Sequence, residues 1–179
     1  MFPILLVDDS KEDLLLAERV IRQAKVLNPL LSFRGADECI AYFENPANHR
    51  VPVLLFLDLV MFPKNGLDVL NAVQSNLLFQ RSLTVMLTGL SDVRYIQQGY
   101  QAGAATFLIK PFSLDDLVKF LAAFQKHFVI DERPEGNFLH WFGAARQSRP
   151  EPPIQTSFES SFPRRESHFD KESAEDEGN

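Results

Sequence analysis

Apolar residues fall along this chain in two alternating rhythms. Short, largely apolar runs stand at Phe2 to Val7, Leu30 to Phe33, Val53 to Leu57, Leu83 to Leu87 and Ala105 to Ile109. Each has the length of a strand, and the unbroken run Val53 to Leu57, hydrophobic without alternation, predicts a strand buried on both faces. Between the runs, apolar positions recur at helical spacing. Asp8-Asp9-Ser10 closes the first run and can cap a helix that carries Leu14, Leu15, Ala17, Val20, Ile21 and Ala24 through about Lys25. A second helix, Ala36 to Glu44, places Cys39, Ile40 and Phe43 on one side and ends at Asn45-Pro46. Gly66 opens a third with Leu67, Leu70, Val73 and Leu77 in register, and a fourth runs from about Ser91 to Ala102 and stops at Gly103. The last begins at Ser113, has Asp115 and Asp116 in its first turn, and extends to about Phe128. Strands alternating five times with helices predict a doubly wound α/β sandwich: a five-stranded parallel sheet of order 2-1-3-4-5 with helices on both faces, flavodoxin-like.

The rhythm fails at Asp131. Residues 131–179 hold 5 of the 11 prolines and 11 acidic against 6 basic residues, so this segment supplies -5 of the net charge of -6. Such a composition buries too little apolar surface to offset ordering entropy. The expected division is a domain over 1–130 and an acidic, Pro/Ser-rich tail over 131–179, mostly disordered. A short helix over 138–145 is the expected exception, because Phe138, Trp141, Phe142 and Ala145 would share one face. The acidic balance argues against a phosphate-backbone partner, so no nucleic acid is expected. One cysteine, Cys39, allows neither an internal disulfide nor a thiolate cluster. The apolar amino terminus lacks the basic flank of a secretion signal, and no run reaches the roughly 18 to 20 apolar residues of a membrane span. The reading is a cytoplasmic protein without a membrane segment.

Five polar side chains gather at the carboxyl ends of the predicted strands, the edge where open α/β sheets bind ligands. They are Asp8 and Asp9 after the first strand, Asp58 after the third, Thr88 after the fourth and Lys110 after the fifth. Alone, each has a plainer explanation as a cap, a strand stop or a solvated lysine. Together they place three carboxylates in one crevice, whose mutual repulsion a divalent cation would relieve. Hard oxygen donors without His or Cys favour Mg²⁺ or Mn²⁺ over Zn²⁺. A carboxylate attacking phosphorus needs the transferring oxygens neutralised, and the cation, the Lys110 ammonium and the Thr88 hydroxyl can share that task. The chemistry is that of a phosphoryl acceptor.

These motifs resemble the receiver domain of two-component response regulators over about Phe2 to Phe128. The matching residues are Val7-Asp8-Asp9-Ser10, Asp58-Leu59-Val60-Met61-Phe62-Pro63 through Gly66, Thr88-Gly89, Gly103-Ala104 and Lys110-Pro111-Phe112. The resemblance implies that Asp58 accepts the phosphoryl group. It implies that Asp9, Asp58 and the Val60 carbonyl bind Mg²⁺ directly, and that Asp8 helps hold the metal through water. It implies further that Lys110 contacts the phosphoryl group, that Thr88 moves toward it, and that Phe107 takes the place of the aromatic rotamer switch. Phe107 lacks the hydroxyl often found there, and Phe62 stands between Met61 and Pro63 where the family has Met-Pro. Within the family the chain looks most like single-domain regulators that serve phytochrome-type kinases.

The expected function is a phosphorylation-controlled binding module. A histidine kinase or phosphotransfer protein donates phosphate to Asp58, and an altered face recruits a downstream protein without a DNA-binding output domain. Its only catalysis would be its own phosphorylation and dephosphorylation. A phosphatase of the haloacid-dehalogenase type would need an acid/base Asp where this chain has Val60. Val60 and Leu90, both apolar, would flank the attacking water, so slow dephosphorylation is expected. The last helix carries Leu114, Leu117, Val118, Leu121, Phe124 and Phe128 as a stripe widened by Phe120. That arc exceeds what one sheet face covers, so a homodimer through Phe120 and Phe124, flanked by Tyr95 and Tyr100, is expected. The alternative is that Phe138, Trp141 and Phe142 fold back and cover the patch within one chain.

Overall fold

The computed structural model describes residues 2–48, 50–89 and 93–141, the side chains of Val93 and Trp141 excepted. Its strands are β1 (Ile4–Val7), β2 (Leu30–Phe33), β3 (Leu54–Asp58), β4 (Leu83–Thr88) and β5 (Thr106–Ile109). They pair in parallel in the order β2-β1-β3-β4-β5, as the apolar runs predict. The helices between and after them are α1 (Lys11–Gln23), α2 (Ala36–Glu44), α3 (Gly66–Ser75), α4 (Val93–Ala102) and α5 (Leu114–Ala123).

The strands read as continuous hydrophobics because alternate side chains enter two separate cores. Ile4, Leu6, Leu54, Phe56, Val85 and Leu87 belong to a cluster with Leu14, Ile21, Phe112 and Leu117 of the α1 and α5 side. Leu5, Val7, Leu55, Leu57 and Met86 join Cys39, Phe43, Val69, Leu70 and Val73 on the other side. Helix α3 stops at Ser75, which leaves Leu77 exposed instead of in register.

Three expectations fail at the carboxyl end. Helix α5 ends at Ala123, and Phe128 opens a strand, β6 (Phe128–Arg133), that pairs antiparallel with β7 (Gly136–Trp141). The expected helix over 138–145 is therefore a strand as far as it is described, and the expected boundary at residue 130 falls inside β6. Phe142 and the remainder of the tail lie outside the described residues.

The interface expected on α5 is also corrected. Phe120 and Phe124 are only 4% and 5% exposed, while Val118 is 50% exposed and Leu114 also faces out. The inward face is set by Leu117, Phe120 and Phe124, because the large rings fill the space over the sheet. Phe120 meets Phe56 edge-on at 6.2 Å and Phe124 at 5.0 Å, and Phe56 stacks on Phe112 at 5.6 Å. Phe128 and Leu139 of the hairpin complete this cluster. The rings proposed for a subunit interface are thus intramolecular core. Tyr100 is half-buried against Phe107, and Tyr95 alone of the four interface residues is exposed.

The hairpin is joined to the domain through the loop after α1. Asn137 N–H donates to the Lys25 carbonyl at 2.7 Å, and Leu27 N–H donates to the Asn137 carbonyl at 2.8 Å. The fully buried Asn28 then acts in place of a backbone partner. Its amide donates to the Leu139 carbonyl at 2.9 Å and to the Phe2 carbonyl at 2.8 Å, and its oxygen accepts from Leu139 N–H at 2.8 Å. One edge of β7 is in this way paired and not left open.

Candidate phosphoryl-acceptor site

The carboxyl ends of β1, β3, β4 and β5 bring the predicted residues together. Asp58 is the last residue of β3, level with Leu87 of β4, and both its carboxylate and that of Asp8 are buried. Asp9 is exposed beside them. One oxygen from each of Asp8, Asp9 and Asp58 lies within 4.8 Å of the other two. This is the only such group of metal-ligating side chains among the described residues. Three hard carboxylates at that spacing fit a small divalent cation.

Lys110 reaches into the same cluster from the residue after β5, where its N–H donates to the Thr88 carbonyl at 2.8 Å. Its Nζ lies 2.8 Å from Asp8 Oδ2, 2.8 Å from Asp13 Oδ2 and 3.2 Å from Asp58 Oδ1. Burial pulls its ammonium toward the neutral form, but hydrogen bonds to Asp13 and Asp8 and the charge of Asp58 outweigh that and raise its pKa. Asp58 is pushed up to about 6 by burial and by the charge of Asp8, with Lys110 and the Val60 N–H pulling the other way. A buried carboxylate held this high is poised for a cation or an electrophile.

The loop after β3 is shaped for this site. Leu59 N–H donates to Leu87 O at 2.9 Å, and Gly66 N–H donates to Leu59 O at 3.1 Å. A β-carbon on Gly66 would collide with the Asp58 carbonyl, so α3 can start this close only with glycine. Asn65 caps α3 in a complete box with Asp68. Val60 turns its N–H to Asp58 and its side chain, 71% exposed, to the rim, where Phe62 is 87% exposed. The additional residue before Pro63 thus changes the loop surface and leaves the placement of Gly66 intact.

Thr88 ends β4 with its side chain buried, and Phe107 is buried between the sheet and α4, 5.1 Å from Tyr100. Phe107 fits there because Gly99 of α4 faces it, and a β-carbon at 99 would overlap the ring. Leu90, expected beside the attacking water, lies outside the described residues.

Asp13 is the site residue that the sequence reading misses. An aspartate three residues after a serine cap reads as half of a capping box, and no periodicity marks it as anything else.

The family model of the response regulator receiver domain matches residues 4–122. Response regulator Rcp1 of Synechocystis sp. is 27% identical over 129 residues, which span 70% of this chain and 88% of that protein. Its Mn²⁺-bound crystal structure superposes with a TM-score of 0.58 at 28% identity, covering 70% of this chain and 93% of that one. The bacteriophytochrome response regulator AtBRR gives 0.60 at 26% identity over 68% of this chain and 91% of its own. The bacteriophytochrome response regulator RtBRR gives 0.61, also at 26%, but extends over 86% of this chain and 85% of its own. With the sheet order, the acidic cluster and Lys110 already in place, the match over residues 4–122 shows that this chain belongs to the response regulator receiver domain family of two-component signalling.

Proposed function

We propose that Asp58 is the phosphoryl acceptor of a switch that signals by protein contacts. The observation that carries this reading is the convergence of Asp8, Asp9 and Asp58 within 4.8 Å, with the Lys110 ammonium 3.2 Å from Asp58. An Asp58 oxygen forms the bond to phosphorus as the N–P bond of a phosphohistidine breaks, and the leaving imidazole recovers its proton. The donor is a histidine kinase or a phosphotransfer protein, and the likeness to two bacteriophytochrome regulators favours a phytochrome-type kinase. The transfer takes place in the cytoplasm.

Asp9, Asp58 and the Val60 carbonyl would hold Mg²⁺, with Asp8 supporting it through water; Mn²⁺ suits the same donors. When bound, the cation neutralises one oxygen of the transferring group. Lys110 supplies the positive charge for a second, and its raised pKa keeps it protonated throughout the working range. Thr88 offers a hydroxyl to a third as its strand end adjusts. Phe107, now inward against Tyr100, is the ring whose rotation would report that adjustment on the α4 and β5 face. The partner that reads this face is a protein, and no external substrate is turned over.

The test is incubation with Mg²⁺ and a small acyl phosphate, followed by intact mass. One added phosphoryl group that disappears in Asp58→Asn supports the switch. Turnover of a phosphoester, or unchanged labelling of Asp58→Asn, overturns it.

A further inference from the structure

Among the described residues, three helices start with a polar cap and an aspartate three residues on, yet only two of those aspartates serve the cap. In α3, Asp68 N–H donates to Asn65 Oδ1 at 3.2 Å, and Asp68 Oδ2 accepts from Asn65 N–H at 2.9 Å. In α5, Asp116 and Ser113 exchange the same pair of bonds at 3.2 and 2.8 Å. In α1, Asp13 N–H still donates to Ser10 Oγ at 3.2 Å, but Ser10 N–H donates to Asp8 Oδ1 at 2.9 Å. Asp8 has taken the role the third aspartate would play. The Asp13 carboxylate is released from its helix and lies 2.8 Å from Lys110 Nζ, its side chain 35% exposed at the mouth of the site.

Asp13 stands outside the carboxylate group that fits a cation. Of the three carboxylates that hold Lys110, Asp8 and Asp58 are the two a cation would draw on. Asp13 is the partner left to hold the ammonium once the site is loaded. A lysine has a flexible four-carbon stem, so its charge acts in a transition state only if something fixes it there first.

We propose that Asp13 is a positioning residue that anchors Lys110 beside Asp58 for phosphoryl transfer, an inference that rests on the acceptor role of Asp58. The step is bond formation from Asp58 Oδ to phosphorus while the donor's P–O bond breaks. With acetyl phosphate the leaving group is acetate. Asp13 touches neither reactant and acts through Lys110.

The test measures phosphorylation rates by acetyl phosphate at saturating Mg²⁺ for the full chain, for Asp13→Asn and Asp13→Glu, and for each in a Lys110→Met background. Asp13→Asn should slow the maximal rate about tenfold, the lower end of what a hydrogen bond between charged groups contributes. It should leave Mg²⁺ affinity unchanged, and Asp13→Glu, which keeps the charge, should recover most of the rate. In the Lys110→Met background Asp13→Asn should have no further effect, a silence that a purely structural role would not produce. An unchanged or faster rate for Asp13→Asn overturns the inference, as does an equal slowing with and without Lys110. Asp58→Asn measured alongside separates the two levels. Labelling that survives it sinks the acceptor reading, whereas labelling confined to Asp58 with an indifferent Asp13 sinks only the anchor.

Discussion

Replacing Asn28 by Ala tests whether the hairpin is built into the domain. Asn28 is fully buried between α1 and β2, and its side chain makes three hydrogen bonds of 2.8–2.9 Å to backbone groups of Phe2 and Leu139. Its own carbonyl accepts from Arg22 Nη1 at 3.1 Å, which holds the loop in place independently of the side chain. The Ala variant leaves the Leu139 N–H, the Leu139 carbonyl and the Phe2 carbonyl each short of one partner. An unsatisfied buried polar group costs about 1–3 kcal/mol, so the two buried Leu139 groups and the partly buried Phe2 carbonyl should together cost about 3–4 kcal/mol after partial relaxation. That is a large share of the roughly 5–15 kcal/mol by which domains of this size are stable, but it leaves a folded protein. Urea unfolding of the full chain reads the total, and native-state hydrogen exchange reads the location. The Leu139 amide should lose protection first while β3 and β4 keep theirs. Asn28→Asp should be at least as damaging near neutral pH, since it turns a carboxylate toward two carbonyls. A loss below about 1 kcal/mol, or an unchanged Leu139 amide, would refute the view that this side chain holds the hairpin.

Other perturbations address the switch and the acceptor. Gly99→Ala places a β-carbon in the Phe107 ring and should cost about 1–3 kcal/mol in urea unfolding, with Phe107→Leu in the same chain restoring at least half. In the folded protein Asp58 is pushed up to about 6 from the ordinary carboxylate value of 3.8, so the folded state binds the proton more tightly and this group opposes folding increasingly from about pH 4 and fully above about pH 6. With a chelator present, Asp58→Asn should therefore be more stable than the parent by about 2–3 kcal/mol near neutral pH, and the gap should close as pH falls below about 4. Parallel stability curves across that range would contradict the assigned environment. Val60 stands at the rim of the site with an apolar side chain that cannot orient water, so Val60→Asn should shorten the phosphorylated lifetime. Equal decay of the two phosphorylated proteins would remove Val60 from the account.

The doubly wound sheet was legible because its strands are apolar on both faces, and an uninterrupted run such as Val53 to Leu57 leaves little else to propose. The site was legible for a related reason: each strand hands its chain to the same edge, so Asp8, Asp9, Asp58, Thr88 and Lys110 needed only the topology to converge. What escaped depends on choices that periodicity does not encode. The stripe on α5 can be drawn through Leu114 and Val118 or through Phe120 and Phe124, and only the rings of Phe56 and Phe112 beneath decide it. The hairpin was hidden by the charge that follows Ile130. Its signal was Pro134-Glu135-Gly136 set between Phe128 to Arg133 and Phe138 to Trp141, a turn between two strand-length runs. Asn28 reads as a turn residue before Pro29, and its distant partner at Leu139 has no local signature. Asp13 escaped because the competition it loses, Asp8 taking the Ser10 N–H, is settled by a 2.9 Å bond in three dimensions.

The central claim is that the phosphoryl group resides on the Asp58 carboxylate. Borohydride reduces an aspartyl phosphate to homoserine, so reduction of the chain after acetyl phosphate and Mg²⁺ treatment, followed by peptide sequencing by mass spectrometry, identifies the residue directly. The account predicts homoserine at position 58, none without Mg²⁺, and a signal much reduced in Lys110→Met. Homoserine at Asp8, Asp9 or Asp13, or labelling on a hydroxyl or imidazole that borohydride leaves untouched, would contradict it.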